Sequence, residues 1–201
     1  MPSQKEIWNE IASQWKEYRK KPFEFVSDFL KDKSGKILDL GCGSGRHFSC
    51  IKGEIFALDF SSEMLKHAQQ TAKTLKIKPE FFDSVASKLP FKNNFFDSAI
   101  YINALHCIEN KEDRSKSLTE LFRVLKPGAQ AIISVWGKNQ NRIKGKSKDQ
   151  LIPWTKGKEK FLRYYYIYDK AEFESLLKEK GLNIIKIKEE DNLVATIQKP
   201  S

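Results

Sequence analysis

Residues 35–60 read G-K-I-L-D-L-G-C-G-S-G-R-H-F-S-C-I-K-G-E-I-F-A-L-D-F, and the rest of the chain is read outward from them. Residues 36–40 are a short apolar run carrying an acid, the pattern of a buried parallel strand. Gly41, Gly43 and Gly45 follow at alternate positions. Glycine is needed where the backbone turns sharply and must approach a ligand with no Cβ in the way. A helix expected from about Ser44 would aim its free N–H groups at that ligand. A second strand, residues 54–58, runs into Asp59, twenty residues after Asp39. An acid at the end of the second strand is placed to bind the two hydroxyls of a ribose. The stretch is a nucleoside site.

The spacing then narrows the nucleoside. A dinucleotide fingerprint runs G-x-G-x-x-G, whereas this chain has G-x-G-x-G with Asp39 two residues ahead. A carboxylate there repels a pyrophosphate and attracts an ammonium group, directly or through water. S-adenosylmethionine carries an ammonium and a ribose and has no phosphate. The segment D-L-G-C-G-S-G resembles the first motif of class I S-adenosylmethionine-dependent methyltransferases.

Length allows one doubly wound domain spanning residues 1–201, with N-terminal helices over 1–34. The formal charge of +10 leans towards a polyanionic partner, and it is unevenly placed. Residues 137–163 form a basic insertion with nine Lys or Arg against Asp149 and Glu159. Cys42, Cys50 and Cys107 make no C-x-x-C pair, so neither a zinc site nor a disulfide framework is expected. No apolar run approaches the roughly 20 residues of a membrane span. A soluble, cytoplasmic protein is expected.

In chain order, Ile7, Trp8, Ile11 and Trp15 lie at helical spacing and predict an amphipathic helix over residues 4–18. It either packs on the domain or closes over the cofactor as a lid, and the two are compatible. Pro22 is expected to open a second helix running to about Asp32. Ser61 or Ser62 caps a helix through about Leu75, and Phe60 and Met64 stand near the cofactor end, where an apolar side chain can cover the adenine. A third strand, residues 78–82, ends at Asp83 and Ser84, which can meet the adenine amino group. A fourth, residues 96–102, delivers Asn103 and His106 to the edge where ligands of open α/β sheets bind. A helix over 112–125 stops at Lys126-Pro127-Gly128, and residues 129–136 make a fifth strand. The basic insertion reads as a long loop with little regular structure. A helix over 170–180 and strands at 182–188 and 193–198 close the chain.

Further stretches resemble one family more closely. W-N-E-I-A-S-Q-W-K-E-Y-R-K-K-P-F, V-W-G-K-N-Q, L-I-P-W and R-Y-Y-Y-I-Y are similar to the corresponding segments of the tRNA wobble-uridine carboxymethyl O-methyltransferases. The resemblance implies a seven-stranded Rossmann-like sheet in the order 3-2-1-4-5-7-6 with strand 7 antiparallel. It also implies methyl transfer to the carboxylate of 5-carboxymethyluridine in tRNA. Three departures stand out: the family's paired histidines are here His106-Cys107, Val85-Ala86-Ser87-Lys88 before Leu89-Pro90 is about two residues longer than the family's spacing from the adenine-side acid, which bears on Asp83, and its opening tyrosine is Trp8, which can still cover the cofactor.

A carboxylate is ionised at neutral pH and needs no general base; it needs alignment. Arg19 and Arg163 can grip it bidentately, and Tyr164 and Tyr165 can donate hydrogen bonds or stack on a splayed base. The alternatives for the arginines are phosphate contact or a solvated surface pair. Lys144, Lys146, Lys148, Lys156, Lys158 and Lys160 can follow a phosphate backbone, or remain solvated. Trp154 either stacks on a base or pins the loop to the core. The resemblance implies one more partner, a small zinc-binding activator protein, with residues 111–125 and the open-edge third strand as its contact region. Two rivals share parts of the pattern: a methyltransferase of small quinone- or sterol-like molecules, and a non-catalytic RNA-binding protein.

Overall fold

Each apolar run anticipated from the sequence becomes a strand, and the sheet is set by which runs are buried on both faces. The computed structural model describes residues 2–139, 143 and 147–201. Its elements are α1 (Gln4–Tyr18), α2 (Glu24–Leu30), β1 (Lys36–Leu40), β2 (Glu54–Asp59), α3 (Ser62–Leu75), β3 (Glu80–Asp83), β4 (Phe96–Ile102), α4 (Lys111–Val124), β5 (Leu125–Trp136), β6 (Asp149–Lys156), β7 (Glu159–Tyr166), α5 (Lys170–Glu179), β8 (Asn183–Glu189) and β9 (Asn192–Gln198). A seven-stranded sheet runs β3-β2-β1-β4-β5-β9-β8. The strands pair in parallel from β3 to β5, and β9 is antiparallel to both neighbours. This is the expected doubly wound α/β sheet, its sixth and seventh strands being β8 and β9. β1 pairs with β2 on one side and β4 on the other, which makes its carboxyl end the switch point where such sheets bind ligands.

β1, β4 and β5 are buried on both faces because helices cover both; Leu38, Phe96, Tyr101, Leu121 and Ile133 lie in one core cluster. Helix starts follow the sequence signals. Ser61 Oγ accepts the Met64 N–H at 3.1 Å, and Ser3 and Glu6 form a capping box ahead of α1, each satisfying orphan donors of a first turn.

Four expectations need correction. No α-helix follows the glycines. Gly41, Gly43 and Gly45 all have positive φ (72°, 54° and 80°), which a right-handed helix cannot accommodate. The chain instead closes turns, Gly45 N–H to Cys42 O and Phe48 N–H to Gly45 O, before one 3-10 turn at Phe48–Cys50. Pro22 does not begin α2, whose N-cap is Phe23. Lys126-Pro127-Gly128 lies within β5, an irregular entry where the register against β4 shifts between Phe96 and Ser98.

The fourth correction is the largest. The basic insertion is not a structureless loop: β6 and β7 pair antiparallel as a hairpin from Asp149↔Tyr166 to Lys156↔Glu159. Gly157 takes φ +61° in its two-residue turn, as such hairpins require. The reason lies in period two: Ile152, Trp154 and Phe161 share one side and pack with Trp8, Ile11 and Tyr165. The hairpin thus finds its core on α1 rather than on the main sheet. Lys144 and Lys146 lie outside the described residues.

Candidate active site

At the carboxyl ends of β1, β2 and β4 a cavity of about 680 Å³ opens beneath α1, within the range of small-molecule and cofactor sites. The glycine turn forms its floor. Leu58 O accepts the N–H of Gly41 at 2.8 Å and of Cys42 at 3.0 Å, and Asp59 Oδ2 accepts the Gly43 N–H at 2.8 Å. The three glycines do different jobs. A Cβ on Gly41 would stand 2.4 Å from Ala104 Cβ, and one on Gly45 would stand 2.5 Å from the Phe48 ring. Those two keep the turn packed. A Cβ on Gly43 would meet nothing within 4 Å, so only there does the missing side chain leave room for a ligand. Gly41 and Gly43 line the cavity and Gly45 does not.

Two buried carboxylates face this floor. Asp39 is 2% exposed and its Oδ2 has no hydrogen-bond partner. Burial, reinforced by the charge of Asp59, pushes its carboxyl up to about 8. A buried polar atom left unpaired is costly, so a cationic or hydrogen-bonding ligand fits here. Burial also pushes Asp59 up, to about 6, against the N–H groups of Ser61 and Gly43 that hold it ionised. Asp59 therefore builds the turn as well as facing the cavity. A group with an ammonium and a ribose, as in S-adenosylmethionine, fits this donor set.

The cofactor-side residues read from the sequence mostly converge. Trp8, Phe60, Met64, Ser84, Asn103 and His106 line the cavity with Asp39 and Asp59. Asn103 holds φ +52°, and its Oδ1 accepts from Ser134 Oγ at 3.1 Å. Asp83 is not brought in: it points outwards, half exposed, and pairs with Lys5 at 3.1 Å. Ser84 takes that corner instead, its N–H on Asp59 O.

On the opposite wall His106 is fully buried, its ring against those of Trp136 and Tyr165 at separations of 5.8 and 4.9 Å. Burial, and then the nearby Arg163 charge, hold it down at about 3, so it is neutral. Its Nδ1 accepts the Trp136 N–H at 3.3 Å. In a neutral ring the other nitrogen then carries the proton, and that Nε2 is buried without a partner. His106 is a hydrogen-bond donor to the cavity and no base.

The four residues assigned to the substrate part company. Arg19 lines the cavity and rests over the Trp15 ring at 5.2 Å, and Tyr165 lines it too. Arg163 is 4% exposed and caged by Trp8, Trp15, Trp154 and Tyr165. It donates from Nη1 to Tyr165 Oη at 2.7 Å, so it positions the tyrosine from behind. Tyr164 is outside the cavity, bonded to Asp149 and accepting from Arg114 Nη1 at 3.1 Å. Trp154 is the anchor of the two alternatives, its Nε1 donating to Gln14 Oε1 at 2.8 Å. Among the basic residues of the insertion, Lys148 is held by Asp169 and Glu172 and Lys156 by Glu10. Lys158 and Lys160 are exposed at the hairpin tip.

The sequence reading passed over Trp15, Phe23, Arg46, His47 and Trp136, all of them in the lining. Arg46 had a signal, a cation directly after the third glycine. His47 had none: it is buried against Phe23 at 5.8 Å and kept neutral, near 3, by burial. Among the described residues no three His, Cys, Asp or Glu side chains group as metal ligands, and no helix is long and apolar enough to cross a membrane.

Residues 38–133 match the family described as a methyltransferase domain. The chain is similar to the tRNA (carboxymethyluridine(34)-5-O)-methyltransferase of Saccharomyces cerevisiae, 31% identical over 77% of this chain and 57% of the relative. The chain spans from a third to a little over half the length of the first curated relatives it matches. Among solved structures, an S-adenosylmethionine-dependent methyltransferase of Methanosarcina mazei superposes with a TM-score of 0.75 at 23% identity, covering 90% of this chain and 99% of that one. The methyltransferase in a complex with the Trm112 methyltransferase activator of Haloferax volcanii gives 0.76 at 18% identity, covering 99% and 98%.

Proposed function

We propose, from the premise that this chain carries a methyltransferase domain of the S-adenosylmethionine-dependent fold, that it methylates the carboxylate of 5-carboxymethyluridine, or a close relative, at the wobble position of tRNA. The observation that carries the reading is the chemistry of the substrate wall. Tyr165 and His106 Nε2–H are neutral donors, Arg19 is a cation, and His106 is too weak a base to take a proton. Beyond Asp39 and Asp59, the carboxylates in the lining are Glu109, Asp113 and Asp191, of which Glu109 and Asp191 are exposed to solvent. Such a wall suits a substrate that is already an anion. A carboxylic acid with a pKa near 4 is one at neutral pH, and the name of the yeast relative points to the same group.

In this reading Asp39 receives the ammonium of S-adenosylmethionine, Asp59 the ribose, and Gly43 lets the backbone approach, with Trp8, Phe60 and Met64 as apolar cover and Ser84 beside the adenine. When bound, the cofactor supplies an electrophilic methyl group. The protein's own part is alignment: Arg19 and Tyr165 hold the substrate carboxylate without protonating it, Arg163 fixes the Tyr165 hydroxyl, and His106 donates to the second oxygen. Holding reactants in an attacking geometry supplies several kcal/mol of a barrier. Trp8, Trp136 and Tyr165 make this end apolar, and low polarity strengthens each remaining charge contact.

The tRNA is the substrate, and the exposed Lys158 and Lys160 meet its backbone. A small zinc-binding activator protein is the second partner, covering the sheet edge at β3 together with α4. Support comes from the activator complex of the Haloferax volcanii neighbour and from Val85, 49% exposed just beyond that edge. Phe81 and Phe82 are partly covered by the chain's own Phe48 and Phe91, which leaves the strand's backbone edge as the main attraction.

The test is incubation of the purified chain, alone and with its own activator homologue, with tRNA bearing 5-carboxymethyluridine and labelled cofactor, followed by nucleoside mass spectrometry. The methyl ester is the expected product. Cofactor binding with no ester under either condition would refute the substrate assignment.

A further inference from the structure

We infer that Arg46, together with Arg19 and the basic depression behind them, is a phosphate-binding site that takes a backbone phosphodiester beside the target nucleotide, so that the enzyme recognises a polynucleotide and not a free nucleoside. The inference rests on the methyltransferase reading above and adds a second subsite to it.

The geometry begins with a partition. Arg19, Ser44 and Arg46 line the deep cavity on one side and a second, shallower depression of about 240 Å³ on the other. That depression also carries Lys16, Lys20 and Ser49, with Gly45 at its base. Its one carboxylate, Glu17, is engaged by Lys20 at 2.5 Å, and Lys16 donates to Gln70 Oε1 at 2.9 Å. No ion pair to an acid is made by Arg19 or Arg46 among the described residues.

Arg46 is also held in place. Its guanidinium lies 3.8 Å from the centroid of Phe23, and its Nε donates to Lys21 O. The stacked ring fixes the plane, and the spent Nε leaves the terminal nitrogens as the free pair of donors. A guanidinium presents its donors as a rigid fork that suits phosphate bidentately. Arg19 is close enough for its charge to oppose that of Arg46, which half burial disfavours in any case. Two like charges brought together, with no carboxylate between them, are relieved by an anion that bridges them. Ser44 and Ser49 add hydroxyl donors on the same wall. Arg19 has five N–H donors and can hold the substrate carboxylate in the deep cavity while sharing the phosphate. A nucleotide with its base in the cavity and its phosphate over Arg46 would straddle the partition, as RNA recognition through splayed bases requires.

The experiment measures binding of a synthetic anticodon stem–loop RNA to the full chain by fluorescence anisotropy, without cofactor, across a series of salt concentrations. Arg46→Gln should weaken binding roughly fivefold to tenfold and reduce the log–log salt slope by about 0.7–0.9, one phosphate contact. Arg46→Lys should restore most of the slope, which a mere loss of packing on Phe23 would not do. In transfer assays Arg46→Gln should raise KM for the stem–loop by a far larger factor than KM for the free nucleoside, itself the poorer substrate of the wild type. An unchanged slope in Arg46→Gln, or equal KM effects on both substrates, overturns the proposal. Inorganic phosphate that saturates the wild type without displacing RNA would also overturn it, in favour of a free-anion site. Failure of the wild type to methylate any RNA would sink the functional reading while the binding slopes still decide the phosphate site.

Discussion

Replacing Asp39 by asparagine is the sharpest perturbation the site allows, because it removes an ionisable proton and almost nothing else. The folded carboxyl sits at about 8 against an ordinary 3.8, first because it is buried and then because Asp59 lies near. The unfolded chain therefore releases this proton near pH 4 and the folded chain only near pH 8. Wild-type stability should fall by about 1.4 kcal/mol per pH unit across that interval and level off above it. The Asp39→Asn variant carries no such titration, so it should gain on the wild type steadily from pH 4 to 8, reaching an advantage of a few kcal/mol near neutrality. Cofactor binding should move the other way. An ammonium needs the ionised carboxylate, and at pH 7 a group titrating near 8 is still roughly nine-tenths protonated, so binding should release most of one proton. Calorimetry at pH 7 in buffers of different ionisation enthalpy reads that release, and urea melts at pH 5, 6, 7 and 8 read the stability. Asp39→Asn should bind weakly and release none. Equal melts at every pH, together with cofactor binding by the wild type without proton release, would refute both the burial argument and the ammonium assignment.

Gly43→Ala should fold with a loss of about 1–2 kcal/mol from its positive φ and bind cofactor poorly, whereas Gly41→Ala should lose more stability because its Cβ meets Ala104; thermal melts in the reverse order would contradict the assigned roles. Arg163→Met should cost about 2–3 kcal/mol, through a lost charged hydrogen bond and four aromatic contacts, and should lower kcat far more than cofactor affinity; an unaltered kcat would free Tyr165 from its dependence on Arg163. Reversing Lys158 and Lys160 to Glu should reduce the salt slope of tRNA binding by one to two contacts, while reversing Lys148 should chiefly lower the melting temperature, since Asp169 and Glu172 already hold it. Equal slopes in all three variants would remove the hairpin tip from the RNA path.

The centre of the sheet was legible because β1, β2 and β4 are short, apolar and buried on both faces, a pattern few other elements share. The same holds for Ser61 and for the carboxylates at 39 and 59, whose positions follow from strand ends. The glycine turn was legible as a ligand site and misleading as a helix start, since three left-handed residues in five positions cannot propagate a right-handed turn. The hairpin at 149–166 was obscured because Leu151 beside Ile152, Phe161 beside Leu162 and the run Tyr164 to Tyr166 put apolar residues on both faces and mask a period of two. Burial was the other blind spot. Arg163 and Tyr164 look like reactive surface groups in a list of letters, and both are enclosed by partners on other elements: Trp8, Trp15 and Trp154 around Arg163, Asp149 and Arg114 around Tyr164. Asp83 failed for the opposite reason: the residue that ends a strand need not point towards its neighbour's ligand, and Ser84 does so instead.

The two tryptophans of α1 and Trp154 of the hairpin close on one another around Arg163, and that mutual enclosure has an evolutionary consequence. The glycine floor of the cavity and its two buried carboxylates come from residues 38–133, the span that matches the methyltransferase domain family. Above that floor stand Trp8, Trp15 and Tyr165, whose positions depend on each other through Trp154 and Arg163. A new substrate cannot be acquired by exchanging the hairpin alone, because Gln14 and Trp15 would lose what they pack against. Helix and hairpin must be inherited, or grafted, as a pair, and it is that pair that would have to travel for this wall of the cavity to be moved onto another scaffold.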